Sequence, residues 1–131
     1  MPRPPIVLSV GQCAFDHASI SRALSRGFGA RVEGADTAAE AIARIRGRAE
    51  RPDLVLVNRV GDRDGAPGLD LIRALKADPD LAPLPVMLVS NFAHAQDEAV
   101  ALGAVPGFGK AELGSPSVLD RLRAALTAAE G

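Results

Sequence analysis

Short runs of aliphatic and β-branched residues alternate along the chain with segments whose apolar positions recur every three or four residues. The first run, Ile6-Val7-Leu8-Ser9-Val10, stops at Gly11. Ile20, Ala23, Leu24 and Phe28 then fall at helical spacing, with Gly27 and Gly29 closing the segment. Ala30-Arg31-Val32-Glu33 reads as a short strand. A second helix is predicted after it, with Asp36 or Thr37 as its N-cap, Glu40 in its first turn and an apolar stripe of Ala38, Ala41, Ile42 and Ile45. Leu54-Val55-Leu56-Val57 is continuously apolar and ends at Asn58, the pattern of a strand covered on both faces.

A polar, glycine-rich loop over 59–68 leads into a third helix, with Leu69, Ile72 and Leu75 on one face, ending near Asp78-Pro79. Pro85-Val86-Met87-Leu88-Val89-Ser90 reads as a fourth strand, its proline at the end position where the missing donor matters least. Phe92, Ala95, Ala99 and Leu102 mark a fourth helix closed by Gly103. A short fifth strand is predicted over 105–109, against the propensities of Pro106, Gly107 and Gly109. A final helix starts with Ser115 as N-cap and Pro116 in the first helical position, turning Val118, Leu119, Leu122, Ala125 and Leu126 inward. Five strands alternating with five helices predict an α/β fold, a parallel sheet covered on both faces. In such folds ligand chemistry sits beyond the carboxyl ends of the strands. The residues to weigh are therefore Gly11, Gln12, Cys13, Asn58, Ser90, Asn91 and Lys110.

Composition narrows the class. A chain of 131 residues, 47% hydrophobic, is one domain's worth with enough apolar mass for its own core. One cysteine excludes an internal disulfide, and a net charge of −1 removes the electrostatic case for nucleic acid or an anionic membrane. No apolar run approaches the ~18–20 residues of a spanning helix, and the start carries no signal-peptide core. A cytoplasmic location is expected. The only aromatics are four phenylalanines, which predicts a Leu/Val/Ile/Ala core and no aromatic binding surface.

The residues at the strand ends resemble those of the receiver domains of bacterial two-component response regulators. The resemblance spans essentially the whole chain. It rests on the five-fold βα alternation, the strand ending at Asn58, the Gly-Leu-Asp-Leu-Ile helix start at 68–72, the Pro-Val-Met-Leu-Val-Ser strand at 85–90 and the segment from Leu102 to Lys110. It implies a flavodoxin-like (βα)₅ fold with strand order 2-1-3-4-5. In that family a strand-three Asp accepts a phosphoryl group from a histidine kinase, two acids after strand one bind Mg²⁺, and a Ser or Thr and a Lys end strands four and five. A carboxylate is the nucleophile able to form an acyl phosphate, and the metal, hydroxyl and ammonium read phosphoryl oxygens.

Carried over position by position, half of the pattern survives. Ser90 and Lys110 match. Asn58 stands at the phosphoacceptor position, Gly11-Gln12 replace the acidic pair, Ala111 replaces a proline, and Gly107 stands where a switch aromatic is usual. Lys110 is then expected to face Asn58, Gln12 and Gly11, with no metal and no cofactor. The implied reading is a single-domain pseudo-receiver without an output domain. It is not an enzyme but a phosphorylation-independent interaction module, a monomer or weak homodimer. Its partner would be a histidine kinase or a downstream regulator. The implied docking face is helix 4–strand 5–helix 5, through Gln96, Asp97, Phe108, Glu112 and Arg121. Two alternatives stay open: a phosphoacceptor at Asp62 or Asp64 in the long loop, and a small-ligand site in a flavodoxin-like crevice. Asp62 and Asp64, His17, His94 and Cys13 otherwise read as a solvated turn, ordinary surface groups and a half-buried thiol.

Overall fold

A computed structural model describes residues 3–47 and 50–130, without the side chains of 128–130. In chain order the elements are β1 (Ile6–Val10), α1 (Ala14–Phe28), β2 (Arg31–Ala35), α2 (Ala38–Arg46), β3 (Leu54–Asn58), α3 (Gly68–Ala77), β4 (Val86–Val89), α4 (Ala93–Ala101), β5 (Val105–Phe108) and α5 (Pro116–Glu130). A single 3₁₀ turn at Lys110–Glu112, which the apolar spacing does not announce, joins β5 to the last helix. The sheet is parallel, in the order β2-β1-β3-β4-β5.

Alternation along β1 and β3 divides the core in two. Leu8, Val10, Val55 and Val57 point to one side and pack with Ile45 of α2, Ile72 and Leu75 of α3 and Ala99 of α4. Val7, Leu54 and Leu56 point to the other side and meet Ile20 and Leu24 of α1 and Leu122 of α5. Each fully buried aliphatic side chain contributes roughly 1.5–3 kcal/mol, so two such layers hold a chain of this size without staples. Burial on both faces explains why β1 and β3 carry almost no polar residues. Ser9 and the terminal Asn58 are the exceptions, and both return below.

Local signals set the helix ends. Thr37 rather than Asp36 caps α2: its Oγ1 accepts from the Glu40 N–H at 3.1 Å, while the Glu40 carboxylate accepts from the Asp36 N–H at 3.0 Å. Gly29, with φ +64°, closes α1 in the left-handed conformation, and Gly27 stays inside the helix. Ser115 precedes Pro116 as expected, its Oγ facing the Val118 N–H at 3.4 Å. The second strand runs two residues beyond its apolar pattern, to Ala35, because β1 pairs with it over its full length. Phe92 is corrected: it lies outside α4 and is 59% exposed, with the Arg59 guanidinium 4.8 Å from its ring centre. Phe15, in the first turn of α1, is 76% exposed.

Strand β5 forms against its propensities because its neighbours hold it. The pairing with β4 shifts register between Met87 and Val89. At the irregularity the Gly107 N–H donates to Gln96 Oε1 at 3.1 Å, and Arg121 donates to the Gly107 carbonyl. A Cβ at position 107 would overlap the Leu88 carbonyl oxygen, so the close approach of two strands requires glycine here.

Candidate functional site

The carboxyl ends of β1, β3, β4 and β5 bring Gly11, Asn58, Ser90 and Lys110 to one corner of the molecule. Asn58, Ser90 and Lys110 line a shallow depression of about 270 Å³, together with Arg59, Val60 and Phe92. Gly11 lies next to it, turned back at φ +76° under a hydrogen bond from its N–H to Ala35 O. Gln12 does not join this corner. Its side chain faces a different groove, between β1, β2 and the start of α1.

Asn58 is bound inward. Its Nδ2 donates to Gly11 O at 3.0 Å and to Val60 O at 2.8 Å, tying the end of β3 to the end of β1 and to the loop that follows. Two donors from one carboxamide fit two carbonyls. A carboxylate in this place would set a negative charge against both of them. The loop adds its own closure. Asp62 N–H donates to Gly11 O at 2.9 Å, Val60 bridges Pro67, and Asp64 Oδ1 accepts from the Ala66 N–H at 3.0 Å. Asp62 and Asp64 are both exposed, and Asp64 acts as the cap of a turn.

Lys110 does not face Asn58 with an unbalanced charge. Its Nζ meets Asp16 Oδ2 at 2.6 Å. This corrects the expected contact of Lys110 with Gly11, Gln12 and Asn58. The hydrogen bond from Lys110 holds the Asp16 carboxyl below its ordinary range, against the opposing effect of burial and with help from Cys13. Asp16 is the residue that reading by motif misses. The available signal is positional: it sits three residues after Cys13, in the first turn of α1, where an acid is favoured. Cys13 caps this helix, its Sγ accepting from the Asp16 N–H at 3.4 Å. His94 is exposed on α4 beside Glu98, and half-buried His17 packs on Gly34.

The matching hydroxyl is also spent locally. Ser90 Oγ accepts from the Phe92 N–H at 3.1 Å, shaping the turn into α4. Next to it, Gln96 acts as a clamp: its Nε2 donates to Leu88 O at 2.9 Å and Ser90 O at 3.1 Å, while its Oε1 takes the Gly107 N–H. All five residues expected on the docking face line one groove, three of them with limited exposure. Gln96 and Arg121 bind backbone, and Phe108 is 1% exposed in the core. Asp97 and Glu112 remain exposed, with Val100, along a groove of about 540 Å³ between α4, β5 and α5.

These donors do not fit a magnesium ion. Gly11, Gln12 and Asn58 supply carbonyl and carboxamide oxygens but no carboxylate, and the Gly11 oxygen already accepts two N–H groups. Mg²⁺ sheds its water reluctantly and is held through anionic oxygens. Among the described residues, no group of three or more His, Cys, Asp or Glu is arranged to hold a metal, and no helix is long and apolar enough to cross a membrane.

No family model and no curated protein sequence matches the chain; the likeness is one of structure. A sensor protein from Polaromonas sp. JS666 superposes with a TM-score of 0.81 at 21% identity, over 98% of this chain and 99% of that one. The signal receiver domain of a DNA-binding response regulator (merR) from Colwellia psychrerythraea 34H gives 0.77 at 20% identity, over 94% and 98%. The phosphorylated cyanobacterial phytochrome response regulator RcpA gives 0.67 at 20%, over 98% and 92%. Strand order, helix placement and these superpositions agree on a flavodoxin-like receiver fold.

Proposed function

We propose that the chain is a receiver-type module of two-component signalling whose protein contacts do not depend on phosphoryl transfer to it. One observation carries this reading. The strand-three end holds Asn58, whose carboxamide is spent on Gly11 O and Val60 O, while Lys110 is balanced by Asp16. A nucleophilic carboxylate, an acid pair for a divalent cation and an ammonium free to turn to a phosphoryl oxygen are the three things acyl phosphate formation needs. The carboxylate that this corner does hold, Asp16, is bound to Lys110, so neither an acid pair nor a free ammonium accompanies it. Asp62 and Asp64 do not replace the first, because both lie on the exposed turn and the Asp64 oxygen is committed to Ala66.

The surface this reading assigns to a partner is the groove between α4, β5 and α5, lined by Val100, Asp97 and Glu112. The partner in this reading is a signalling protein of the same system, a histidine kinase or a downstream regulator. No enzymatic step is assigned to the chain, and a cytoplasmic location goes with the same reading. The test is incubation of the full chain with acetyl phosphate and Mg²⁺, followed by intact-mass measurement, in parallel with beryllofluoride titration of the backbone amide spectrum. Unchanged mass and unchanged amides at residues 88–110 are expected. A phosphoryl adduct that disappears in Asp62→Asn or Asp64→Asn overturns the proposal.

A further inference from the structure

Ser9 and Gln12 are the two side chains that neither the fold nor the Asn58 corner uses. Ser9 is 1% exposed and Gln12 8% exposed, and both line the groove between β1, β2 and the first turn of α1. The Ser9 hydroxyl and both polar atoms of the Gln12 carboxamide are buried without a hydrogen-bond partner, the only such side-chain atoms among the described residues. A buried polar group without a partner loses its bonds to water and gains none in return, so a well-packed domain rarely keeps three together. They are grouped in one place, on two residues that line a groove of about 460 Å³, within the size range of small-molecule sites.

The walls narrow the ligand class. His17 lies along one side against Gly34, where an ideal Cβ would come within 3.2 Å of the imidazole Cε1; glycine is what leaves the ring its place. The rim is charged but already balanced. Arg63 pairs with Asp36 at 3.3 Å, and Arg44 approaches Glu40 at 3.4 Å and Glu33 at 3.9 Å. Carboxylates outnumber cations around the opening, which disfavours a phosphate or carboxylate ligand. What stays unmatched is neutral: a carboxamide that offers a donor and an acceptor side by side in one plane, a hydroxyl, and a flat ring. The complement of a Gln carboxamide is an edge with an acceptor next to a donor, as on a nucleobase.

We propose that this groove binds an uncharged planar heterocycle with a lactam or amino-azine edge, of the nucleobase kind, read by the Gln12 carboxamide and flanked by His17. The site is separate from Asn58 and does not depend on the state of that corner. The experiment uses the full chain, isotope-labelled, titrated with adenine, uracil and nicotinamide, and follows the Gln12 side-chain amide and the Gly34 N–H by NMR. Saturable shifts of both signals with at least one compound are expected. Gln12→Leu should weaken that binding about tenfold or more, with Gln12→Met as the volume-matched second variant if the leucine chain does not give a folded spectrum. The proposal is overturned if none of the three compounds shifts the Gln12 amide, if binding survives both substitutions, or if a crystal grown with the compound shows Gln12 and Ser9 bonded to ordered water only.

Discussion

Two corners of the same sheet end, barely one strand apart, treat their polar groups in opposite ways. At the β3–β4–β5 corner every functional side chain has been turned inward and satisfied. Asn58 ties Gly11 to Val60, Ser90 holds the turn into α4, Gln96 and Arg121 hold Gly107, and Asp16 neutralises Lys110. At the β1–β2 corner, Ser9 and Gln12 are buried and unmatched. The first arrangement resists change, since rearranging it breaks bonds already made. The second stores a cost that a ligand relieves. The fold thus commits the polar groups of one corner to its own stability and leaves unsatisfied chemistry beside it.

The closed corner is broken most severely at Gly107. Any side chain there overlaps the Leu88 carbonyl, and the Gln96 and Arg121 bonds fix the backbone that would have to move. Gly107→Ala is expected to cost about 3 kcal/mol or more in urea denaturation, in the range of strain at a close backbone approach. A cost under about 1 kcal/mol would mean that β5 shifts freely and the corner is not locked.

The sharpest contrast sets one amide against the other. Asn58→Leu removes two hydrogen bonds and should destabilise by about 1–2 kcal/mol. Gln12→Leu removes only unmatched atoms and should leave stability equal or higher by up to about 1 kcal/mol, because an apolar group replaces a buried carboxamide without partners. Chemical denaturation of the two variants under one set of conditions decides the matter. Equal losses from both would erase the difference between the corners.

Periodicity made most of the architecture legible, and specific residues show where it stops. Strands β1 and β3 announced themselves because burial on both faces demands continuous apolar sequence. Strand β5 is hard to see in Val-Pro-Gly-Phe, since what holds it is Gln96, eleven residues earlier, and Arg121, fourteen later. Spacing finds Asn58, Ser90 and Lys110, because strand ends are visible. It does not find the Asp16–Lys110 pair, whose members lie 94 positions apart and meet only through the β1-β3-β4-β5 order. Phe92, expected on a helix face, lies exposed just outside α4 for the same reason. An aromatic next to an element's end goes in or out with the turn, which hydrophobicity does not encode.

The smallest expected effect tests the electrostatics of the closed corner. Lys110 holds the Asp16 carboxyl below its ordinary range, so the folded protein binds that proton less readily than the unfolded chain does. The pair's contribution is then complete above the unfolded carboxyl value of about 3.9, and it is lost as the pH falls through the lower folded value. Asp16→Asn should therefore cost about 0.5–1 kcal/mol near neutral pH, the scale of a partly exposed ion pair. The gap to the unaltered chain should close in acid, as the carboxyl takes up its proton in both states. Denaturation curves at pH 7 and in acid check this. If the gap stays constant with pH, Asp16 acts as a neutral helix-capping neighbour of Cys13, and Lys110 is balanced from elsewhere. If it closes, the Lys110 charge is held within the chain itself, and the corner is closed by charge as well as by hydrogen bonds.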